Sequence, residues 1–460
     1  MPEALKLSPA GEAALLTIPG GAVSKSMTTG YAIGGTDQEG AAALRRESLA
    51  PDLKRLTFDN SDFTIFPEIP KLQAKSTVEQ YAILDNVGTA EFVSEMGIAT
   101  VSDPHLAQHV VRMKYLAATR QMSIAAGLVN NTVDPMQVET DSAMTSIASL
   151  IEWAIFYGDS DMSSLGDGNG LQFDGLAKLI DQKNNVTDLR GENLREIDLN
   201  NAATVIAKGF GKATDAYMPI GVQAEFDNGQ LDRQYVQMSA PGQLISGMNV
   251  TAFRSTRGLI NLHGSTIMDS RNILNENFVP NQMAPAAPTV SAKVAKGAGK
   301  FFDTDIAEVT YKVRAVGANG GSRATEVKAA IVEKESEVTL LIEQSAMYNT
   351  IADSFEIYRQ GKETGAFYLV GSVAASKLVG NKISFIDVND TIPETADVFV
   401  GEMTSQVLGL YELLPMMRLP LPQMTAAITF SVLWYGALGL FAPKKWVRIK
   451  NVKYVPGQVH

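Results

Sequence analysis

Between Leu419 and Pro443 the chain runs for 25 positions without a charged side chain, and Lys444 and Lys445 follow at once. A hydrocarbon core asks for about 20 such residues, with basic residues at the cytoplasmic end. The pattern inside the run points elsewhere. Ile428, Phe430, Val432 and Trp434 alternate with Thr429, Ser431, Leu433 and Tyr435. In its first half that is large apolar against small polar at period two, the mark of a strand. Pro420 and Pro422 oppose a helical start. From Gly436 onward both faces are apolar, as in a strand covered on two sides. The next segment, WVRIKNVKYV (446–455), sets Val447 and Ile449 against Arg448 and Lys450. The stretch is therefore read as two consecutive strands of a large soluble core, with no membrane span.

A chain of 460 residues exceeds one ordinary core, so two or three domains are expected. There is no cysteine, which removes disulfides and thiolate chemistry and leaves packing and assembly to supply stability. The start, MPEALKLSPAGEAALLTIPGG, has no basic stretch leading into an apolar one, so synthesis in a reducing cytoplasm is expected. The net charge of −11 does not suit a nucleic-acid reader, which needs a basic face. Residues 413–460 nevertheless carry six basic side chains (Arg418, Lys444, Lys445, Arg448, Lys450, Lys453) and no acidic one. Two readings stand: a solvated basic face, or a patch that meets an acidic patch on another copy.

Residues 1–60 are polar and rich in small residues, an arm unable to bury a core by itself. Residues 61–117 hold short runs rich in β-branched and aromatic residues (FTIF, STVEQYAIL, AEFVSEMGIATV, HVVRMKYL), broken at DNVG (85–88) and SDP (102–104). They predict long hairpin strands. Asp134-Pro135 starts a helix over 134–157, with Met144, Ile147, Ile151, Ala154 and Ile155 on one stripe and Gly158 as the stop. Shorter helices are predicted over 173–183 and 193–209. After PNQMAPAAP (280–288) the pattern becomes a series of short alternating strands: 309–317, 325–332, 338–343, 354–360, 366–373 and 382–388. In VTYKVRAV, Val309, Tyr311, Val313 and Ala315 face one way. About seven such strands describe a β-sandwich of immunoglobulin or fibronectin type III style. The strands of the opening lie beyond it, so it is read as an insertion.

No chemistry-bearing motif emerges. His105 and His109 are spaced for a shared metal only on a helix, and no third ligand accompanies them. DSDMSSLGDGNG (159–170) has the acidity of a calcium loop but lacks its sixth-position glycine and twelfth-position glutamate. The glycines there do not join a strand to a phosphate-binding helix, and no phosphate loop, nucleophile elbow or triad spacing is present. No catalytic, cofactor-binding or metal-ligating residue is named, no cofactor is expected, and the chain is not read as an enzyme.

Several segments together resemble the major capsid proteins of tailed phages. LIEWAIFYGDSDMSSLGDGNGLQFDGLAKLID (150–181) is similar to the end of their long spine helix and the loop after it. The matching positions are Glu152, Phe156, Gly158-Asp159 and Gly175-Leu176. NLHGSTIM (261–268) and FSVLWYGALGLFAPKKWVRI (430–449) resemble other parts of that fold. TTGYAIGGTDQEGAAALRRE (28–47), TDAYMPIGV (214–222) and ELLPMMRLPL (412–421) resemble the branch found in large contractile-tailed phages of Gram-positive bacteria.

The resemblance implies an α+β fold of the Hong Kong 97 type. The parts of the chain would then be an N-terminal arm (1–60), the E-loop with adjoining strands (61–117), a peripheral domain with the spine helix (118–200), the first part of an axial domain (201–284), the inserted β-sandwich read above from the strand pattern (285–398), and a return to the axial and peripheral core (399–460). It implies an icosahedral shell of hexamers and pentamers of this chain around double-stranded DNA, without sequence-specific binding or a membrane. Portal and decoration proteins would be further partners, assembly would occur in the host cytoplasm, and the chain would end up in the virion. The alternative is a non-viral shell or surface protein displaying a fibronectin-like binding module; a cytosolic enzyme is a third reading, and it lacks a convergent polar site.

Overall fold

The computed structural model describes residues 62–86, 88–128, 134–162, 171–181, 185–230, 238–240, 243–244, 249–268, 272–276, 278–282, 284–302, 306–317, 320–344, 352–423 and 426–454. The predicted arm and most of the acidic loop, 163–170, lie outside them.

The first elements are a one-turn helix α1 (Ile65–Glu68) and a short strand β1 (Lys71–Gln73). The hairpin strands β2 (Val78–Asn86) and β3 (His105–Arg112) follow, then β4 (Lys114–Ser123), the short α2 (Ile124–Leu128) and the long α3 (Pro135–Tyr157). Three expectations change here. FTIF (63–66) turns into α1 instead of a strand, because a carboxylate described below collects its first amides. The run 90–101 forms no strand, having no pairing partner among the described residues. HVVRMKYL is two strands, parted at the buried Met113, whose amide donates to Thr77 O (2.9 Å).

Next come α4 (Leu176–Asp181), β5 (Val186–Asp188), α5 (Glu196–Lys208), β6 (Asp215–Pro219) and α6 (Ile220–Gly229). Then follow β7 (Met238–Ala240), β8 (Gln243–Leu244), β9 (Ala252–Ser255) and β10 (Gly258–Ser265). Helices α4 and α5 are each shorter than their patterns suggested.

Residues 289–387 carry β11 (Thr289–Lys296), β12 (Glu308–Gly317), β13 (Gly320–Gly321), β14 (Thr325–Ala330), β15 (Ser336–Glu343), β16 (Ser354–Gln360), β17 (Phe367–Ala374) and β18 (Lys382–Asp387). Strands β11, β15 and β18 make one antiparallel sheet; β13, β12, β16 and β17, with β14 also on β12, make another. Their apolar faces share one core, in which Tyr311, Val313 and Ala315 of β12 are fully buried beside Val338, Leu340, Ile342, Phe355 and Ile357. At one end the core is polar. Arg359 lies 2.6 Å from Asp387, which also accepts the Tyr311 hydroxyl at 2.8 Å. Such a buried pair holds only because the carboxylate has further donors.

The chain finishes with β19 (Thr395–Gly401), β20 (Leu408–Pro420), β21 (Ala427–Leu440) and β22 (Trp446–Lys453). A four-stranded sheet runs β1-β20-β21-β4, and a six-stranded one runs β5-β22-β19-β6-β10-β9. The uncharged stretch is thus a strand, and it and its successor belong to different sheets. Phe430, Val432 and Trp434 are fully buried in a core shared with Ile147, Ile151 and Ile155 of α3. Ser431 on the other face is only 5% exposed, because β21 is an interior strand between β20 and β4. The second core packs α5 and α6 on the six-stranded sheet, with Val447 and Ile449 inside. Among the described residues no helix is long and apolar enough to cross a membrane.

Candidate functional site

The β2–β3 hairpin has a two-faced sequence. Glu79, Tyr81 and Ile83 face the same way as Ala107, His109 and Val111 and are half-buried. Val78, Gln80, Ala82 and Leu84 face the other way with Leu106, Gln108, Val110 and Arg112, and every one of these is exposed. The connection beyond continues this apolar surface: Phe92, Met96, Ile98 and Val101 are 89–108% exposed. Single exposed apolar residues need no explanation, but a contiguous run of this kind marks a contact surface. His105 and His109 both lie on β3, where four residues span about 13 Å, too far for one shared ion. His109 instead stacks on Tyr81 (5.8 Å between centroids).

The root of the hairpin is pinned from several sides. Glu152, fully buried on α3, accepts from Thr64 N (2.9 Å), Thr64 Oγ1 (2.7 Å) and Ile65 N (3.0 Å) at Oε1 and from Phe66 N (2.9 Å) at Oε2. These are the amides that a helix start leaves unpaired, so the carboxylate turns 65–68 into α1. Strand β1 then pairs parallel with β20, and the Tyr81 hydroxyl donates to Leu440 O (3.3 Å). Burial, with Tyr411 nearby, pushes the Tyr81 phenol up to about 12.

The remaining positions singled out by the resemblance meet at the far end of α3. Phe156 is fully buried beside Phe399 (5.4 Å) and Tyr217 (6.0 Å). Gly175 N donates to Gly158 O (2.8 Å), and a Cβ at Gly175 would stand 2.6 Å from both Ala154 O and Gly158 N. Only glycine permits that approach of two backbones. In the described part of the acidic loop, the Lys178 ammonium sits among Asp159 (2.5 Å), Asp174 (2.9 Å) and Asp161 (3.2 Å). Burial opposes its charge, but Asp159 and Asp174 raise its pKa regardless. A lysine thus answers the carboxylates of Asp159, Asp161 and Asp174.

The C-terminal basic residues do not form a free patch. Arg448 pairs with Asp181 (2.6 Å) and Asp397 (2.8 Å), Lys450 with Asp390 (2.8 Å), Lys445 with Glu402 (3.3 Å) and Lys453 with Glu363 (3.4 Å). The Arg418 guanidinium lies over the Phe430 ring (4.5 Å). Neither a bare solvated face nor a patch reserved for another copy describes them, since acidic partners from the same chain answer most of the charge.

One polar cluster escaped the sequence reading. His263 on β10 places Nε2 3.1 Å from Asp215 Oδ1 on β6 and Nδ1 3.7 Å from Glu68 Oε1 at the end of α1. The Tyr217 hydroxyl donates to Glu68 Oε2 (2.7 Å), Asn261 Nδ2 donates to Asp215 Oδ1 (3.1 Å), and the Tyr217 ring stacks on His263 at 4.8 Å. The three ionisable residues come from segments far apart in the chain. No local spacing signals them, and only the pairing of β6 with β10 brings two of them together.

No family model matches the chain. Over 441 residues, 94% of this chain and 95% of the relative, it is 51% identical to a putative major capsid protein of Enterococcus phage phiEF24C. Over the same length and shares it is 49% identical to the major capsid protein of Staphylococcus phage K. Among solved structures, one of Microbacterium phage Oxtober96 aligns over 90% of this chain and 97% of its own, at 10% identity and a TM-score of 0.47.

Proposed function

The chain belongs to the major capsid proteins of Enterococcus and Staphylococcus phages, structural subunits of the head shell, and from that premise we propose how it builds a shell. Copies associate as hexamers and pentamers and close into an icosahedral head around double-stranded DNA. The hairpin of each copy is the E-loop of a Hong Kong 97-type subunit, and its open face lies on a neighbour. The observation that carries this reading is that face, where Val78, Ala82, Leu84, Leu106 and Val110 stay exposed and continue into Phe92, Met96 and Ile98. Burying it would contribute about 25 cal/mol for each Å² of apolar surface removed from water.

Electron microscopy of the purified chain should therefore show shells or capsomer rings. The double substitution Phe92→Ser with Ile98→Ser should leave the melting of the subunit unchanged, since both side chains are fully exposed, and yet abolish closed particles. Normal shells from that variant would remove the hairpin from the assembly mechanism.

The remaining parts follow the same scheme. Residues 1–60 serve as the arm, 61–117 as the E-loop with its adjoining strands, 118–200 as the peripheral domain on α3, and 201–284 with 399–460 as the rest of the axial and peripheral core. Residues 285–398 form an inserted sandwich of immunoglobulin or fibronectin type III style, which the two facing sheets with a core of their own support. Expressed alone, residues 285–398 should unfold in one cooperative transition in a thermal melt. A fragment without a transition would place the boundary elsewhere. Assembly takes place in the host cytoplasm with portal and decoration proteins as later partners. An acidic subunit most of whose C-terminal cations are already paired gives packaged DNA little to adhere to.

A further inference from the structure

We infer that His263 is a proton-operated tie between the root of the hairpin and the six-stranded sheet. With both ring nitrogens protonated it holds Glu68 and Asp215 at once, and loss of one proton frees Glu68.

The geometry assigns the roles. Each nitrogen of the ring faces a different carboxylate, Asp215 at 3.1 Å and Glu68 at 3.7 Å. Only the imidazolium has two N–H donors and a positive charge; the neutral ring keeps one N–H and loses the charge that draws Glu68 to within 3.7 Å as an ion pair. Asp215 keeps its donor, because its contact is the shorter and Asn261 fixes it in place. Glu68, 43% exposed, turns to water and retains only the Tyr217 hydroxyl. That phenol stays a donor throughout, since burial first and Glu68 second raise its pKa.

The surroundings leave the assignment intact. Glu68 reaches His263 from α1, and Asp215 and Tyr217 reach it from β6. Glu152 on α3 is turned to the amides of α1. Asp227 of α6 takes the Val250 amide, and neither it, Glu225 nor Arg254 of β9 forms an ion pair with His263. The three donor atoms also lie within 4.8 Å of one another, a spacing that a metal ion can use. The split of the carboxylates between two ring nitrogens favours protons, because one ion bonded to one nitrogen leaves the other pairing unchanged.

The sign follows from the hydrogen bond to Asp215, which, against burial and with Glu68 assisting, raises the His263 pKa above its ordinary 6.5. A raised imidazole pKa stabilises the folded state fully below the ordinary value, and the stabilisation is lost as pH rises through the folded value. The tie is closed below the ordinary imidazole value and opens as pH rises through the raised one.

Hydrogen–deuterium exchange on the full chain between about pH 6 and pH 9, corrected for intrinsic rates, reads the tie directly. Protection of the peptide over 62–75 should fall severalfold across the transition, while β10 stays protected. His263→Gln carries no charge and does not titrate, so it should lose the step. Glu68→Gln keeps an acceptor for Tyr217 at an exposed position, so it should fold normally and lose the step as well. A step of undiminished size in either variant overturns the tie. So does stoichiometric uptake of Zn²⁺ by the wild-type chain, titrated alone in a calorimeter, if chelation abolishes the step.

Discussion

Replacing Glu152 with alanine is expected to destabilise the subunit by about 3–5 kcal/mol, a large share of the margin of a domain. The carboxylate serves three backbone amides and a hydroxyl of residues 64–66 from a fully buried position. Its loss strands those donors away from water and leaves a cavity against α3. Because this cap is what turns residues 64–66 into α1 beside the root strand β1, the hairpin should lose its fixed base as well. Chemical denaturation of the soluble chain would show the midpoint falling, and particle counts would fall with it. Glu152→Gln should be milder, since the amide oxygen still serves part of the set while its NH₂ meets an amide donor. An unchanged midpoint for the alanine variant would mean that α1 forms without the cap.

A lysine scan along β21 is expected to be the second large effect. Lysine at Phe430 or Val432 would set an unpaired charge in the core shared with α3, at a cost of several kcal/mol, and soluble protein should vanish. Lysine at Thr429, which is only half-buried, should be tolerated better. Ser431 departs from simple alternation: at 5% exposure between two neighbouring strands, its lysine variant should be nearly as damaging as the core ones. Soluble yield and melting temperature of the four variants test this order. Uniform damage with partition into detergent would return the stretch to the membrane reading.

How much of this could be read in the sequence depends on whether the governing contact is local. The stripe Ile147, Ile151, Ala154 and Ile155 repeats at helical spacing, and α3 runs from Pro135 to Tyr157, as those residues and Gly158 indicate. The period-two runs of 309–388 are legible for the same reason, and TVSAKVAK (β11) carries a weaker alternation of the same kind, since small and charged residues fill most of its positions. FTIF looked like a strand because its composition is that of one. Its helical turn is imposed by a carboxylate 86–88 positions away. The run 90–101 has strand composition and no partner to pair with. Glu152 was visible through the resemblance alone; nothing in LIEWAIF says that its charge is buried and satisfied. The tie at His263 joins residues 68, 215 and 263, and such a meeting is written in the sheet order, which a single sequence does not display. The charge count of 413–460 was correct but misleading, because the acidic partners Asp181, Glu363, Asp390, Asp397 and Glu402 lie upstream.

The passage from β21 to β22 takes only residues 441–445, although the two strands belong to different sheets. The cores on these two sheets are therefore strung on one short length of backbone. A force that pulls the four-stranded sheet away from the six-stranded one is borne by covalent bonds at that junction. On either side it meets antiparallel ladders, β20 and β4 flanking β21, and β19 beside β22. In a head wall, load taken up by one sheet is thereby passed along the backbone to the other.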